Sequence, residues 1–350
     1  MQPFEGTISS KLFELEFLEY LDLSLNQLNL DSIRHFIGSL RKLRIKIRIQ
    51  LVSLGMRPCV VCTIEFQIST NNLSGQLSDL LHMFFASCPE NSLETLDLSD
   101  NHLEGTVPNL SMFSSLKELY LQGNRLTGRL PESIGQMSNM EVILLGKNSF
   151  TVEISETHFS KLSQLIALDL SYSSFIFNFD PGWVPPFQLS GISILQDWTA
   201  YSIMASSSEE LLSLQLCHLK QIQILDFSVN NISGFIPRCL HNSTSLAQNG
   251  FSATIVPSIS QEYSIDYKQG ISVYEYVDEA SLIWKGTMWK YKSTRGLMKS
   301  IDLSCNSFTE EIPSEIRFLV GLVSLNLLRN QLTGPIPQEI NWKLAVIGLP

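Results

Sequence analysis

Apolar residues return along this chain in a fixed order with polar residues between them. Residues 93–105 and 116–128 both follow the pattern LxxLxLxxNxLxG, in which x is mostly polar. Nine copies can be aligned on the residue that stands in the asparagine position, namely Asn26, Asn71, Asn101, Asn124, Asn148, Ser173, Asn230, Asn306 and Asn330. The gaps from Asn101 to Ser173 are 23, 24 and 25 residues, and Asn306 and Asn330 are 24 apart. A period of this length predicts a stacked repeat.

Each copy predicts a short strand followed by a turn. The LxL core alternates, so its leucines point inward and the residue between them points outward. The Asn side chain can satisfy buried backbone groups where the chain turns, so stacked copies would form a ladder. One coil cannot bury its apolar face alone, and neighbouring coils must stack. We therefore expect an α/β repeat fold, a curved solenoid with a parallel sheet on its concave face.

Several copies continue into a second motif, LxGxIP. It appears at Gly105–Pro108, Gly128–Pro131, Gly234–Pro237 and Gly334–Pro337. These copies resemble the plant-specific class of leucine-rich repeats. Residues 216–240 and 282–304 are similar to the C-terminal ectodomain of plant receptor-like proteins, especially receptors for ethylene-inducing xylanase. The resemblance implies a plasma-membrane glycoprotein of plant defence that exposes this region outside the cell and has no kinase domain.

The resemblance also implies a longer protein. Family members begin with a signal peptide and a cysteine-bearing cap and end with a transmembrane helix, and neither pattern is legible here. We interpret the chain as a partial copy whose ends are missing. The solenoid is expected over 1–237, degenerate at 41–65 and 176–215. A non-repeat island is expected over 238–296, followed by C-terminal repeats over 297–350.

Composition narrows the function classes. With 44% hydrophobic and 17% charged residues the chain is not a disordered polyelectrolyte. Its 24 Lys and Arg against 34 Asp and Glu argue against nucleic acid as a partner. P-loop, GxGxxG, GxSxG and HExxH motifs are all missing, and the single CxxC at Cys59 and Cys62 lacks the partners of a zinc site. We expect no enzyme, no metal and no small-molecule cofactor.

The concave face is where a ligand would bind, through outward strand positions. The candidates are Lys117, Glu118, Tyr120, Gln122, Glu141, Leu144, Lys147 and Tyr172. Of these, Tyr120, Leu144 and Tyr172 are expected to form a column of large groups on successive strands, an exposed stripe of the kind that makes contacts. Aspartates recur in the LDLS position at Asp97, Asp169, Asp226 and Asp302, and this recurrence suggests that they serve the coil.

The island is rich in aromatic residues. Tyr and Trp supply large contact areas at low entropic cost. Its candidates for partner contact are Tyr274, Tyr276, Trp284 and Trp289. The alternative is a loop that packs its aromatic side chains on the solenoid.

Four N-glycosylation sequons begin at Asn72, Asn109, Asn231 and Asn242. They suit an ectodomain, although such triplets also arise by chance in a repeat rich in Asn and Ser.

Three binding or structural roles remain open. The first is an ectodomain that recognises an extracellular protein or peptide and signals through co-receptor kinases. The second is a soluble wall-protein inhibitor or decoy. The third is a non-functional truncated paralogue.

Cys217 and Cys239 stand 22 residues apart, about one repeat. Equivalent heights on adjacent coils would place them within disulfide reach. In the exported protein we expect this bridge, and the alternative is two buried thiols. Peptide mapping under non-reducing conditions distinguishes them, because free thiols at both positions would contradict the prediction.

Overall fold

The computed structural model describes residues 64–67, 69, 71–87, 93–180, 182–194, 216–230, 232–248, 279–284, 287–292, 299–337 and 346–348. Its strands are β1 Ile64–Gln67, β2 Ser74–Gln76, β3 Leu93–Asp97, β4 His102–Gly105, β5 Glu118–Tyr120, β6 Arg125–Gly128, β7 Val142–Leu144, β8 Ser149–Ile154, β9 Ala167–Asp169, β10 Ser174–Phe177, β11 Gly191–Ser193, β12 Ile224–Asp226, β13 Ser233–Gly234, β14 Glu279–Trp284, β15 Thr287–Lys292, β16 Ser300–Asp302, β17 Ser307–Phe308, β18 Ser324–Asn326 and β19 Val346–Gly348. One α-helix, α1, spans Leu77–Ser87, and 3-10 helices span Glu132–Gln136, Glu156–Phe159, Arg238–Asn242 and Ser314–Phe318 in the described chain.

The main sheet contains one strand from each coil. Its order is β1-β3-β5-β7-β9-β11-β12-β16-β18-β19, and neighbouring strands are parallel. A second parallel sheet, β10-β8-β6-β4-β2, runs along one side, and β13 pairs with β17 farther on. This arrangement is the predicted solenoid with its parallel concave sheet.

The leucines between the sheet and the convex side form one continuous core. Leu96, Leu119, Leu121, Leu126 and Leu145 are completely buried. The same cluster runs through the coils from Leu73 to Leu327. Burial of this kind is favourable at about 25 cal/mol per Å² of apolar surface, and here it is shared between neighbours instead of concentrated in one centre.

The turn asparagines form the predicted ladder. The Asn124 Nδ2 donates to the carbonyl of Leu121 in its own coil (3.0 Å) and to that of Leu98 in the previous coil (2.9 Å). Its Oδ1 accepts from the backbone N of Leu103, also in the previous coil (3.0 Å). Asn148, Asn306 and Asn330 repeat all three bonds. One amide therefore satisfies backbone groups of two coils.

The ladder continues across the predicted island. Asn306 donates to the carbonyl of Phe227, 79 residues earlier, and β12 pairs with β16 in register. The two coils lie so close that a Cβ at Gly321 would stand 2.0 Å from the carbonyl oxygen of Gln248. The inserted segment therefore leaves the stack without breaking it.

The expected start of the island at residue 238 is wrong. Residues 238–242 form a 3-10 helix, and Leu240 and Leu246 belong to the buried core. The Thr244 backbone N donates to the carbonyl of Lys220 in the previous coil (2.7 Å). Residues 238–248 thus complete a coil, because this convex segment needs no LxL pattern to pack.

The region expected to be degenerate, 176–215, contains a regular coil strand. Residues 191–193 pair with both β9 and β12, in register. Leu189, Ile192 and Ile194 are buried at the spacing LxxLxL, so the apolar signal was present without the asparagine that marks other copies. The copy around Asn26 lies outside the described residues, whereas the copy around Asn71 does form a strand, β1, beside β3.

Ser173 interrupts the ladder. Its buried Oγ has no hydrogen-bond partner among the described residues. An asparagine here would reach the carbonyls of Leu145 and Leu170 and the backbone N of Phe150, by analogy with Asn124.

Replacing this serine should therefore stabilise the protein. We expect Ser173→Asn to raise the free energy of unfolding by about 1 kcal/mol, the net value of a buried hydrogen bond. Asn124→Ser, the reverse change in an intact step, should lower it by about 1–3 kcal/mol. Urea unfolding monitored by circular dichroism measures both. If Ser173→Asn lowered the free energy of unfolding, the backbone groups at this turn would have to be satisfied by other contacts, and the prediction would be wrong.

Candidate functional site

The concave face presents one outward residue per strand between the two inward apolar residues. We call these residues the central row; in register they are Gln67, Asp97, Tyr120, Leu144, Asp169, Ser193, Asp226, Asp302, Asn326 and Gly348. Neighbouring strands lie about 4.8 Å apart, so consecutive members of the row are side by side. The row thus crosses the strands as a continuous line of mostly polar residues, with Tyr120 and Leu144 among them.

A small apolar cluster lies in the middle of this face. Val142, Leu144 and Ala167 are buried, and Tyr120 and Ile166 pack against them. Leu144 is only 1% exposed, so the prediction that it forms part of an exposed stripe is wrong. The sequence pattern could show that it points to the concave side, but solvent exposure there depends on what else packs on that side.

A polar group adjoins the apolar cluster on β3 and β5. The Lys117 ammonium lies 2.9 Å from the Glu94 carboxylate, and this hydrogen bond raises the pKa of Lys117. The Glu118 carboxylate accepts hydrogen bonds from the Thr95 hydroxyl (3.1 Å) and the Tyr120 hydroxyl (3.3 Å). Lys117 and Tyr120 therefore stand on the predicted face, each held by a neighbouring carboxylate.

Tyr172 belongs to a second row, at the edge of the sheet. The residue before each ladder position adopts a left-handed backbone conformation; this edge row comprises Asp100, Gly123, Lys147, Tyr172, Val229, Cys305 and Arg329, with φ between 51° and 70°. In the central row the β9 position is filled by Asp169, so the predicted column of Tyr120, Leu144 and Tyr172 is wrong. Tyr172 lies three residues after Asp169 in the chain, at the repeat position of Gly123 and Lys147, and so it is not in line with Tyr120 and Leu144.

The edge row carries two of the predicted contact residues in exposed positions. Lys147 is exposed and Tyr172 is 46% exposed. Burial raises the pKa of Asp100 and of Asp169, and the positive charge of Lys147 partly offsets this rise. Gln122, one position before the edge row, is half-buried, and its Oε1 has no hydrogen-bond partner in the described part of the chain.

The aspartates of the central row are bound to their own turns. Asp226 and Asp302 each accept from the backbone N and the hydroxyl of the serine two residues later, at 2.7–3.0 Å. These bonds agree with a role in the coil. Burial raises the pKa of Asp97 and of Asp169. For Asp226, burial and the adjacent Asp302 carboxylate raise the pKa to about 6.

The predicted island contacts fall partly on a described hairpin. Strands β14 and β15 are antiparallel, with Leu282 opposite Trp289 and Trp284 opposite Thr287. Opposed residues share a face, so the register places Trp284 and Trp289 on the same face of the hairpin. Tyr274 and Tyr276 lie outside the described residues.

The predicted modification residues are accessible where they are described. Asn72, Asn109 and Asn242 are exposed, and Asn231 is outside the described residues. Cys217 and Cys239 form a disulfide with their Cα atoms 5.3 Å apart. This bridge joins the segment that precedes β12 to the 3-10 helix Arg238–Asn242 that follows it.

The described residues contain neither a membrane-spanning helix nor a metal-binding cluster. None of their helices is long and apolar enough to span a bilayer. No group of three or more His, Cys, Asp or Glu side chains in the same residues could hold a metal ion.

Comparisons with known proteins agree with this architecture. The leucine-rich-repeat family models match residues 114–175 and, as single repeats, residues 92–112, 221–243 and 298–319. Among solved structures, the crystal structure of PEPR1-AtPEP1 is similar with a TM-score of 0.60 and 25% identity, over 97% of this chain and 39% of that one. The chain is a leucine-rich-repeat protein.

The sequence relatives narrow the class. Receptor-like protein EIX2 of Solanum lycopersicum is 30% identical over 92% of this chain and 37% of its own length. Receptor-like protein 39 of Arabidopsis thaliana is 27% identical over 68% of this chain and 29% of its own length. Within its class the chain is a plant leucine-rich-repeat receptor-like protein, and it spans about a third of the length of these relatives.

The raised pKa of Asp226 predicts a pH dependence of stability. A carboxyl whose pKa is about 6 when folded and about 3.8 when unfolded binds more protons in the folded state between these values. Stability should therefore fall as the pH rises from about 4 to 6, by on the order of 1–3 kcal/mol. We expect a higher melting temperature at pH 5 than at pH 7.5, and a smaller difference in Asp226→Asn. An equal difference in both proteins, measured by scanning calorimetry, would contradict the assignment to Asp226.

Proposed function

We propose that this chain is the ligand-binding part of a kinase-less plant immune receptor at the plasma membrane. It recognises an extracellular protein or peptide and signals through partner receptor kinases. The proposal is supported by the names of its relatives, which are receptor-like proteins, and by the similarity of its fold to the PEPR1-AtPEP1 structure.

The observation that carries the proposal is the pair of rows on the concave face. The central row offers Tyr120 beside Lys117, and the edge row offers Lys147 and Tyr172 in exposed positions. Tyr120 lies on β5 and Lys117 directly before it, whereas Lys147 and Tyr172 lie on the turns after β7 and β9, so all four belong to three neighbouring coils. A ligand lying across the strands would contact these side chains together.

The backbone under these side chains is already ordered. The carbonyl of Leu121 accepts from both Asn124 and Asn148, and the backbone N of Lys147 donates to the carbonyl of Ser171 (2.8 Å). Such a surface loses little conformational entropy when it binds a ligand. It can therefore accept a flexible partner, such as an extended peptide, whose own ordering is then the main entropic cost. Aromatic residues with exposed area, such as Tyr172, are the usual centres of binding energy.

The hairpin of the island provides a second proposed contact. Its register gathers Trp284 and Trp289 on one face. We assign this face to a protein partner, either the ligand or a co-receptor kinase.

A binding experiment tests the concave site. The full chain, secreted from plant cells, would be panned against a displayed library of random peptides, and an enriched peptide would be measured by calorimetry. We expect the double variant Lys147→Ala, Tyr172→Ala to bind roughly 30-fold more weakly, the loss typical of a binding hot spot.

The convex side supplies the matched control. Glu132 and Lys161 are exposed there, near the 3-10 helices, so the variant Glu132→Ala, Lys161→Ala should bind like the wild type. Equal losses in the two double variants would contradict a concave site. Failure to enrich any peptide that needs the folded chain would contradict peptide recognition.

A further inference from the structure

The convex side of the stack carries an exposed aromatic ring on a 3-10 helix that lies beside a helix ending in a sequon asparagine. Phe318 ends the 3-10 helix Ser314–Phe318 and is 48% exposed. Asn242 ends the 3-10 helix Arg238–Asn242 and is also exposed. The sequence does not suggest a relation between them, because 76 residues separate them and the island lies in between.

The two residues occupy the same position in adjacent coils. Pro237 and Pro313 precede the two helices as their N-cap residues, so the fifth residue after each proline is Asn242 or Phe318. Contacts between the helices show that they lie side by side, with partners one position apart in this alignment. The ring of His241 lies 6.0 Å from that of Phe318, and Arg238 reaches within 3.9 Å of Glu315.

Side chains at this position touch from coil to coil elsewhere in the stack. Gln136 is the fifth residue after the N-cap Pro131, and Ser160 is the fifth after the N-cap Ser155. The Gln136 Nε2 donates to the Ser160 hydroxyl at 3.1 Å. Side chains at this position can therefore reach the same position of the neighbouring coil.

Phe318 is only partly covered by protein. The Arg317 guanidinium lies over its ring, 4.8 Å from the centroid. The remaining exposed ring suits a surface that has both C–H groups and hydroxyls, as a pyranose has, because the apolar side of a sugar packs on an aromatic face while its hydroxyls stay hydrated. N-acetylglucosamine is the sugar that sequon glycosylation attaches to the asparagine.

We propose that Asn242 is N-glycosylated and that its first N-acetylglucosamine packs on Phe318. This glycan then links the two coils on either side of the island, as the Gln136–Ser160 hydrogen bond links two earlier coils. The inference rests on the proposed function in one respect, since it requires passage through the secretory pathway.

A double-mutant cycle tests the pairing. The full chain secreted from plant cells would be compared with Asn242→Gln, Phe318→Gln and the double variant, glutamine being the residue that the stack already carries at 136. We expect loss of the glycan to lower the melting temperature by roughly 1–3 °C when Phe318 is present and not to change it when position 318 is glutamine. Trimming the glycan to a single N-acetylglucosamine should keep the effect.

The sequon at Asn109 is the control. It is exposed. The residue at the same repeat position in the next coil is Glu132, the first residue after Pro131, which is not aromatic. Asn109→Gln should therefore change the melting temperature equally with Phe318 or Gln at 318.

Three outcomes would count against the proposals. Equal effects of Asn242→Gln in both backgrounds, or an unmodified Asn242 in a chain glycosylated at Asn109, would overturn the Asn242–Phe318 pairing alone. A secreted chain without a glycan at any sequon and with Cys217 and Cys239 reduced would instead contradict the cell-surface function.

Discussion

The side-chain amide of each turn asparagine forms hydrogen bonds with backbone groups of two coils, and the rest of the structure depends on these hydrogen bonds. A buried backbone N–H or carbonyl without a partner costs about 1–3 kcal/mol, so a coil can turn inside the stack only where these groups are satisfied. Asn124 meets this need with one donor group and one acceptor atom. Serine at 173 is too short to do the same, although the sheets pass through that step without a shift of register.

This constraint also explains how a long insertion is tolerated. The bonds from Asn306 to Phe227 and Ile232 join coils that are neighbours in space but 74 to 79 residues apart in sequence. Closing a loop of that length costs only slightly more entropy than closing a short one. The stack can therefore carry an inserted segment such as the β14–β15 hairpin without losing the continuous sheet that presents the concave rows.

Function on such a scaffold is decided by position within the repeat. Core positions repeat because every coil needs the same packing, whereas the central and edge rows vary from Asp to Tyr to Leu to Lys. The aspartates show that the two demands overlap. They point to the concave side, yet Asp226 and Asp302 accept hydrogen bonds from Ser228 and Ser304 and are half-buried.

Local spacing was sufficient to predict the class of fold, the ladder, the concave sheet and the alignment of Cys217 with Cys239. These features depend on contacts between residues one period apart, which recur in the sequence itself. The coil at 189–194 was missed because its apolar positions match while its asparagine position does not. The island boundary was placed too early because convex segments such as 238–248 pack without a regular pattern.

The chain order alone thus determined which side chains point inward and which point outward. Only the tertiary structure decided which outward side chains meet solvent and which meet each other. Leu144 is covered although its position faces outward, because it packs in a cluster with Val142 and Ala167. The 3-10 helices that end at Asn242 and Phe318 become neighbours across the island for the same reason. Exposure and proximity are set by stacking between coils, and the period of the sequence does not record them.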